Sequence, residues 1–116
     1  MAERPRPGEF ELIARYFAPL AAGQAGAFGL TDDAAVLVPS PGRVHVLTMD
    51  TLVGGVHFLP DDPPGLVARK LLRVNLSDLA AMAARPVAYM LALSLPTDVD
   101  EAWIAGFAAG LGQDQE

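Results

Sequence analysis

The sequence predicts an α/β fold, a small mixed sheet with helices packed on it. Three observations predict it. Apolar residues recur at roughly helical spacing in Glu9 to Leu20, Gly65 to Ala84 and Val99 to Leu111. Short apolar or alternating runs bounded by breakers fill Ala34 to Val38, Val44 to Thr51 and Val87 to Leu95. The resulting order is helix, strand, strand, helix, strand, helix, which lays helices on a sheet.

Taking the elements in turn, Phe10, Ile13, Phe17 and Leu20 give the first helix its apolar face, and Pro19 sits near its end. Gly23 to Gly29 is a Gly/Ala-rich loop. Ala34 to Val38 and Val44 to Thr51 flank the turn residues Ser40-Pro41-Gly42-Arg43 and are expected to pair as a hairpin. Gly54-Gly55 predicts a bulge or a close backbone approach. Pro63-Pro64 opens a long helix, because proline is tolerated in a first turn, and Pro86 closes it. Val87 to Leu95 is almost continuously apolar, the pattern of a strand covered on both faces. Pro96-Thr97-Asp98 is a turn and cap before a last amphipathic helix carrying Trp103 and Phe107. A sheet of three or four strands leaves open edges, so a second half or a dimer partner is expected to cover them.

Bulk properties exclude several functions. The chain has 116 residues, room for one domain and a modest core. With 8 basic against 14 acidic residues the net charge is −6, which disfavours nucleic acid and anionic membrane surfaces as partners. There is no cysteine, hence no disulfide framework, thiolate nucleophile or Cys-based zinc site, and a cytoplasmic location fits. Met1 to Gly8 reads as a frayed tail with no signal-peptide core, and no run reaches the ~20 residues of a membrane span.

The chemistry lies in acids placed beside apolar runs: Asp32-Asp33 before Ala34, Asp50 after Met49, and Asp78 within Asn75 to Ala84. A carboxylate drawn out of water there is costly unless neutralised. Lys70 is the single lysine, so a bound cation is the readiest neutraliser, and hard oxygen ligands suit Mg²⁺. Each position also has a plainer reading. Asp32-Asp33 can cap a turn, Asp50 can end a strand, and Asp78 can accept backbone donors on a helix face shared with Leu71, Asn75 and Met82. His57 follows the flexible Gly54-Gly55 pair, and His45 reads as structural. Neither a lysine-bearing phosphate loop nor a dinucleotide fingerprint is present. Phosphate handling would therefore run through metal ions, with positioning and charge neutralisation as the protein's share.

Four strings together carry a family resemblance: Gly8-Glu9-Phe10-Glu11-Leu12-Ile13-Ala14-Arg15-Tyr16-Phe17; Asp32-Asp33-Ala34-Ala35-Val36-Leu37; Asp50-Thr51-Leu52-Val53 with Gly55-Val56-His57-Phe58-Leu59-Pro60; and Val74-Asn75-Leu76-Ser77-Asp78-Leu79-Ala80-Ala81-Met82. The chain resembles the N-terminal domain of the thiamine-monophosphate kinases, in the superfamily of aminoimidazole-ribonucleotide synthetase and selenophosphate synthetase. The resemblance covers residues 9–116 and implies a sheet that pairs with a second subunit into a dimeric barrel. It implies Mg²⁺-dependent, in-line transfer of phosphate from ATP to thiamine phosphate, giving thiamine diphosphate, with no covalent catalytic residue. It implies Mg²⁺ ligands at Asp33, Thr48, Asp50 and Asp78, a backbone carbonyl ligand at Met49, and a substrate contact at His57. Two departures stand out. Thr31 replaces a usual glycine, which would be strained at positive φ, and Ala83 replaces another, where a better helix former should be harmless. The family continues into further motifs and a C-terminal domain, so the chain is expected to be inactive alone. Another ATP-using enzyme of the superfamily, or a non-catalytic dimerisation module, are the competing readings.

Overall fold

The computed structural model describes residues 6–115. Its core is a helix pair. Helix α1 (Glu9–Leu12) continues without a break into a π-helical turn (Ile13–Phe17) and a 3₁₀ turn (Ala18–Ala21). Helix α2 (Pro64–Ala81) and helix α3 (Glu101–Asp114) pack on one another, and the first helical run lies against α3. The sequence anticipates these three helical segments, but the first is not a uniform α-helix, and the Gly/Ala-rich stretch read as a loop holds a further 3₁₀ segment (Ala25–Leu30), broken at Phe28 and Gly29. Pro19 has no N–H to give, so the α-helical ladder fails on its approach and the chain changes winding.

Val67 and Ala68 of α2 are buried against Phe107 and Leu111 of α3, and Phe17, Leu20, Phe58, Leu91 and Trp103 close around them. Trp103 and Phe107 stack with ring centroids 5.3 Å apart. Two contacts let the helices come this close. A Cβ on Gly110 would stand 2.4 Å from the Gly65 carbonyl oxygen, and one on Gly106 would stand 2.9 Å from Pro64 Cγ. Polar ties then fix the edges. Arg73 holds Asp114 with a two-pronged guanidinium contact (2.8 and 3.1 Å). Tyr16 Oη donates to Glu101 at 2.6 Å, and that bond pushes the phenol up from its ordinary value; Arg15 also binds Glu101. Gln115 donates through Nε2 to the Leu20 carbonyl and accepts through Oε1 from Tyr89. Of the expected N-terminal tail, residues 1–5 lie outside the described residues, while Arg6 donates to the carbonyls of Pro96 and Val99.

The expected mixed sheet is corrected by the structure: among the described residues there is no sheet, only an isolated bridge between Gly54 and Phe58. Ala34 to Val38, Val44 to Thr51 and Val87 to Leu95 carry strand-like side chains but form no ladder. The Ser40–Arg43 turn does close, with Arg43 N–H donating to the Ser40 carbonyl, but the runs on either side do not pair beyond it. Most of their apolar groups stay in solvent, with Leu47 at 89%, Met49 at 87% and Met90 at 93% exposure, while Leu91 rests against the helix core. The physical reason is that β-patterning records what a side chain favours on a pleated surface, whereas a strand requires a non-local backbone partner. Among the described residues, the fully buried side chains all come from α2 and α3, and these runs pass along the outside, touching the core through Leu91.

Two backbone details also revise the sequence reading. Thr31 takes φ −108°, so the departure from glycine there brings no left-handed strain. The left-handed residues are its neighbours, Phe28 (φ 52°), Gly29 (φ 63°) and Leu30 (φ 58°). Ala83, in contrast, is not inside a helix. Helix α2 ends at Ala81, and the Ala84 N–H returns to the Leu79 carbonyl (2.9 Å) while the Ala83 N–H returns to that of Ala80 (3.0 Å). That pair of bonds is a Schellman closure, with Ala83 at φ 53° in the position that favours glycine. The last helix starts at Glu101, capped by Asp100, whose side chain accepts from Trp103 N at 2.8 Å, rather than near Asp98.

Ala83→Gly should therefore stabilise the chain by roughly 0.5–1 kcal/mol, read as a higher urea midpoint at unchanged slope, because it relieves a left-handed alanine. Gly110→Ala should destabilise it by about 1–3 kcal/mol in the same measurement, because the new methyl meets backbone rather than a movable side chain.

Candidate functional site

Asp32 and Asp33 follow the left-handed bend at residues 28–30. Asp33 N–H donates to Asp32 Oδ1 at 2.9 Å and Thr31 Oγ1 donates to the Phe28 carbonyl at 2.8 Å, so the pair sits in a self-bonded turn. That turn forms one wall of a groove of about 500 Å³, whose other wall is the first helical run. Phe10, Ile13 and Leu30 give the groove apolar sides, while Glu9, Asp32 and Asp33 give it acidic ones. Sequence reading found the acids but missed the groove, because the bend that forms it needs Phe28 and Leu30 at positive φ on either side of Gly29, and those two residue types do not signal it.

Asp78 lies on the exposed side of α2. Thr48, thirty residues earlier, reaches it: Thr48 Oγ1 stands 3.4 Å from Asp78 Oδ2. That is long against the about 2.5–3.0 Å of an ordinary O–H···O bond, so the two oxygens face one another without saturating each other. Asn75, one turn back on α2, turns its amide nitrogen onto its own helix, donating to the Leu71 carbonyl at 2.8 Å. Asp50, Met49 and Asp33 are exposed, and no hydrogen bond in the described residues links them to the Thr48–Asp78 pair. Among the described residues, no three or more His, Asp or Glu side chains are grouped to hold a metal ion. These carboxylates therefore remain in water, and the cost that the sequence reading attached to their apolar neighbours does not arise.

His57 is the most constrained of the predicted residues. It lies in a tight turn in which the Val56 and His57 N–H groups both donate to the Val53 carbonyl (3.0 and 2.9 Å) and Gly55 N–H donates to the Phe58 carbonyl (2.7 Å). Gly55 takes φ 81°, a value that glycine accepts freely. The Gly54-Gly55 signal thus marks a real backbone device, a turn rather than a strand bulge. Phe58 anchors the turn in the α2–α3 core, and Asp62 Oδ2 accepts from Leu59 N at 2.7 Å on its far side. Within the turn, Val53 N–H donates to His57 Nδ1 at 2.9 Å. The ammonium of Lys70, from α2, donates to the His57 carbonyl.

No helix among the described residues is long and apolar enough to cross a membrane. No solved structure matches the chain. Curated relatives do. The chain is 52% identical over 108 residues to the thiamine-monophosphate kinase of Caulobacter vibrioides, covering 93% of this chain and 31% of that protein. It is 50% identical over 105 residues to the thiamine-monophosphate kinase of Escherichia coli K12, covering 90% and 32%. The enzyme of the same name from Haemophilus influenzae is 42% identical over 105 residues, again covering 90% and 32%. The chain thus spans about a third of the length of the curated relatives it matches. The family model described as AIR synthase related protein, N-terminal domain, matches residues 31–116, well over half of the chain, and to that family the chain belongs.

Proposed function

We propose that this chain is the metal- and substrate-holding part of a thiamine-phosphate kinase. The reaction is ATP-dependent phosphorylation: the terminal phosphate oxygen of thiamine phosphate attacks the γ-phosphorus of ATP, the bond to the β,γ-bridging oxygen breaks, and thiamine diphosphate and ADP result. The names of the relatives, up to 52% identical over nearly the whole chain, support the activity. The observation in the structure that carries the reading is the approach of Thr48 to Asp78, two oxygen donors from distant parts of the sequence facing one another without saturating each other.

The donor set suits Mg²⁺ in kind, since hydroxyl, carboxylate and carbonyl oxygens are hard ligands. Asp78 and Thr48 would hold it; Asp33, Asp50 and the Met49 carbonyl are proposed as further ligands on the family resemblance, and they are not grouped with that pair among the described residues. When bound, the ion supplies charge neutralisation for the phosphates. The chain's own residues do the rest. Asp78 is carried on the long, well-packed α2, so its carboxylate is held by a rigid element. His57 would contact thiamine phosphate from a turn anchored by Phe58. A cytoplasmic location and a homodimer complete the proposal. A second subunit would cover apolar side chains such as Leu47 and Met90, which this chain leaves in solvent.

The test grafts residues 9–116 in place of the matching segment of the Escherichia coli relative. The chimaera should phosphorylate thiamine phosphate. Asp78→Asn and Asp50→Asn should each lower kcat at least 100-fold at ordinary Mg²⁺, with an unchanged urea midpoint because both positions are exposed. Full activity of both variants would remove the metal assignment. His57→Ala should raise the KM for thiamine phosphate about tenfold, the effect of losing one hydrogen bond to a charged group, and leave the KM for ATP within twofold. A change confined to ATP would overturn the role given to His57.

A further inference from the structure

We propose that Lys70 is a positioning residue for His57, and that together with the Val53 N–H it presents the imidazole as a neutral Nε2–H donor. A backbone N–H can only donate, so the 2.9 Å bond from Val53 N–H makes His57 Nδ1 an acceptor. A neutral imidazole with Nδ1 as acceptor carries its proton on Nε2. His57 is exposed, and among the described residues its Nε2 has no hydrogen-bond partner. The ring therefore offers one fixed N–H donor to solvent, the group that a phosphoryl oxygen accepts from.

The bond works only while the turn keeps its shape, and three features hold it. Bonds within the turn close it on the Val53 carbonyl. Phe58 is seated in the core. Lys70, the only lysine of the chain, reaches across from α2 to the His57 carbonyl. The first holds His57 through its own N–H, from within the turn, and the second fixes the next residue. Among the described residues, Lys70 is the side chain that grips the main chain of His57 from another element. It sits on the same helix as Asp78, eight residues and roughly two turns away, so one rigid rod carries both the carboxylate and the grip on the imidazole. Lys70 is exposed, so its role is not burial. Its assignment as an aid to substrate binding rests on the reading of His57 given above; its assignment as the holder of the His57 turn does not.

The test is nitrogen-15 NMR of the whole 116-residue chain, with His45→Gln to assign the two histidines. In the wild type, neutral His57 should show a single tautomer with its proton on Nε2, and the exposed Val53 amide should exchange slowly. Lys70→Met should speed Val53 amide exchange about five- to tenfold, the loss of one hydrogen bond, and shift the His57 ring nitrogens; Lys70→Arg should restore both. A wild-type His57 protonated on Nδ1, a fast Val53 amide, or a Lys70→Met chain with both signals unchanged would each overturn the proposal. If Lys70→Met fails to fold, as judged by its helical circular dichroism, Lys70→Gln and the wild-type tautomer decide. Thiamine phosphate is then added to the wild type. Movement of the Nε2 signal supports the substrate contact. A still Nε2 signal, with the Lys70 effects intact, removes the substrate contact and leaves the positioning role standing.

Discussion

The close crossing of α2 and α3 is the constraint on which the rest of this structure depends. Gly65 meets Gly110 backbone to backbone, with Gly106 against Pro64 beside it, and this lets Val67 and Ala68 reach Phe107 and Leu111. Burying a large apolar side chain contributes on the order of 1.5–3 kcal/mol, so this small set of contacts is the main source of cohesion in a chain with few other buried side chains. Everything assigned to function hangs from it. Asp78 and Lys70 ride on α2, the His57 turn is pinned through Phe58, and the first helical run is held to α3 through Glu101 and Gln115.

The helices were legible because their signals are local. Apolar spacing locates the three longer helical runs, the breaker Asp61 to Pro64 marks the start of α2, and Trp103 and Phe107 mark the face of α3. The cap of α3 was misplaced by two residues because Asp98 and Asp100 offer the same chemistry, and only the Trp103 N–H distinguishes them. The sheet was misread because alternation in Val44 to Thr51 and continuity in Val87 to Leu95 describe side chains, while the missing element is a backbone partner. Ala83 was misread for a related reason. As a residue type it favours helix, but its position one step past the Met82 cap demands a left-handed backbone.

Of the site, the sequence showed residue types and not their meeting. Asp78 and Thr48 were both named, and they do face each other. Asp33 instead belongs to a turn with Asp32, and its groove with the first helical run could not be foreseen from spacing. Lys70 drew notice only for being the single lysine. Its contact with the His57 turn spans thirteen residues between a loop and a helix, a distance at which neither periodicity nor motif speaks. Family membership and the names of the relatives supply what local physics does not, a family for the chain and a named activity for the proteins it resembles.

Gln115 gives one more consequence. Its side-chain amide serves two masters at once, giving a proton to the Leu20 carbonyl and taking one from Tyr89. A primary amide can do both; a carboxylate can only accept. Slow hydrolysis of that amide in an ageing sample would set a negative oxygen against the Leu20 carbonyl. A single chemical event near one end of the chain would then loosen the first helical run at the other.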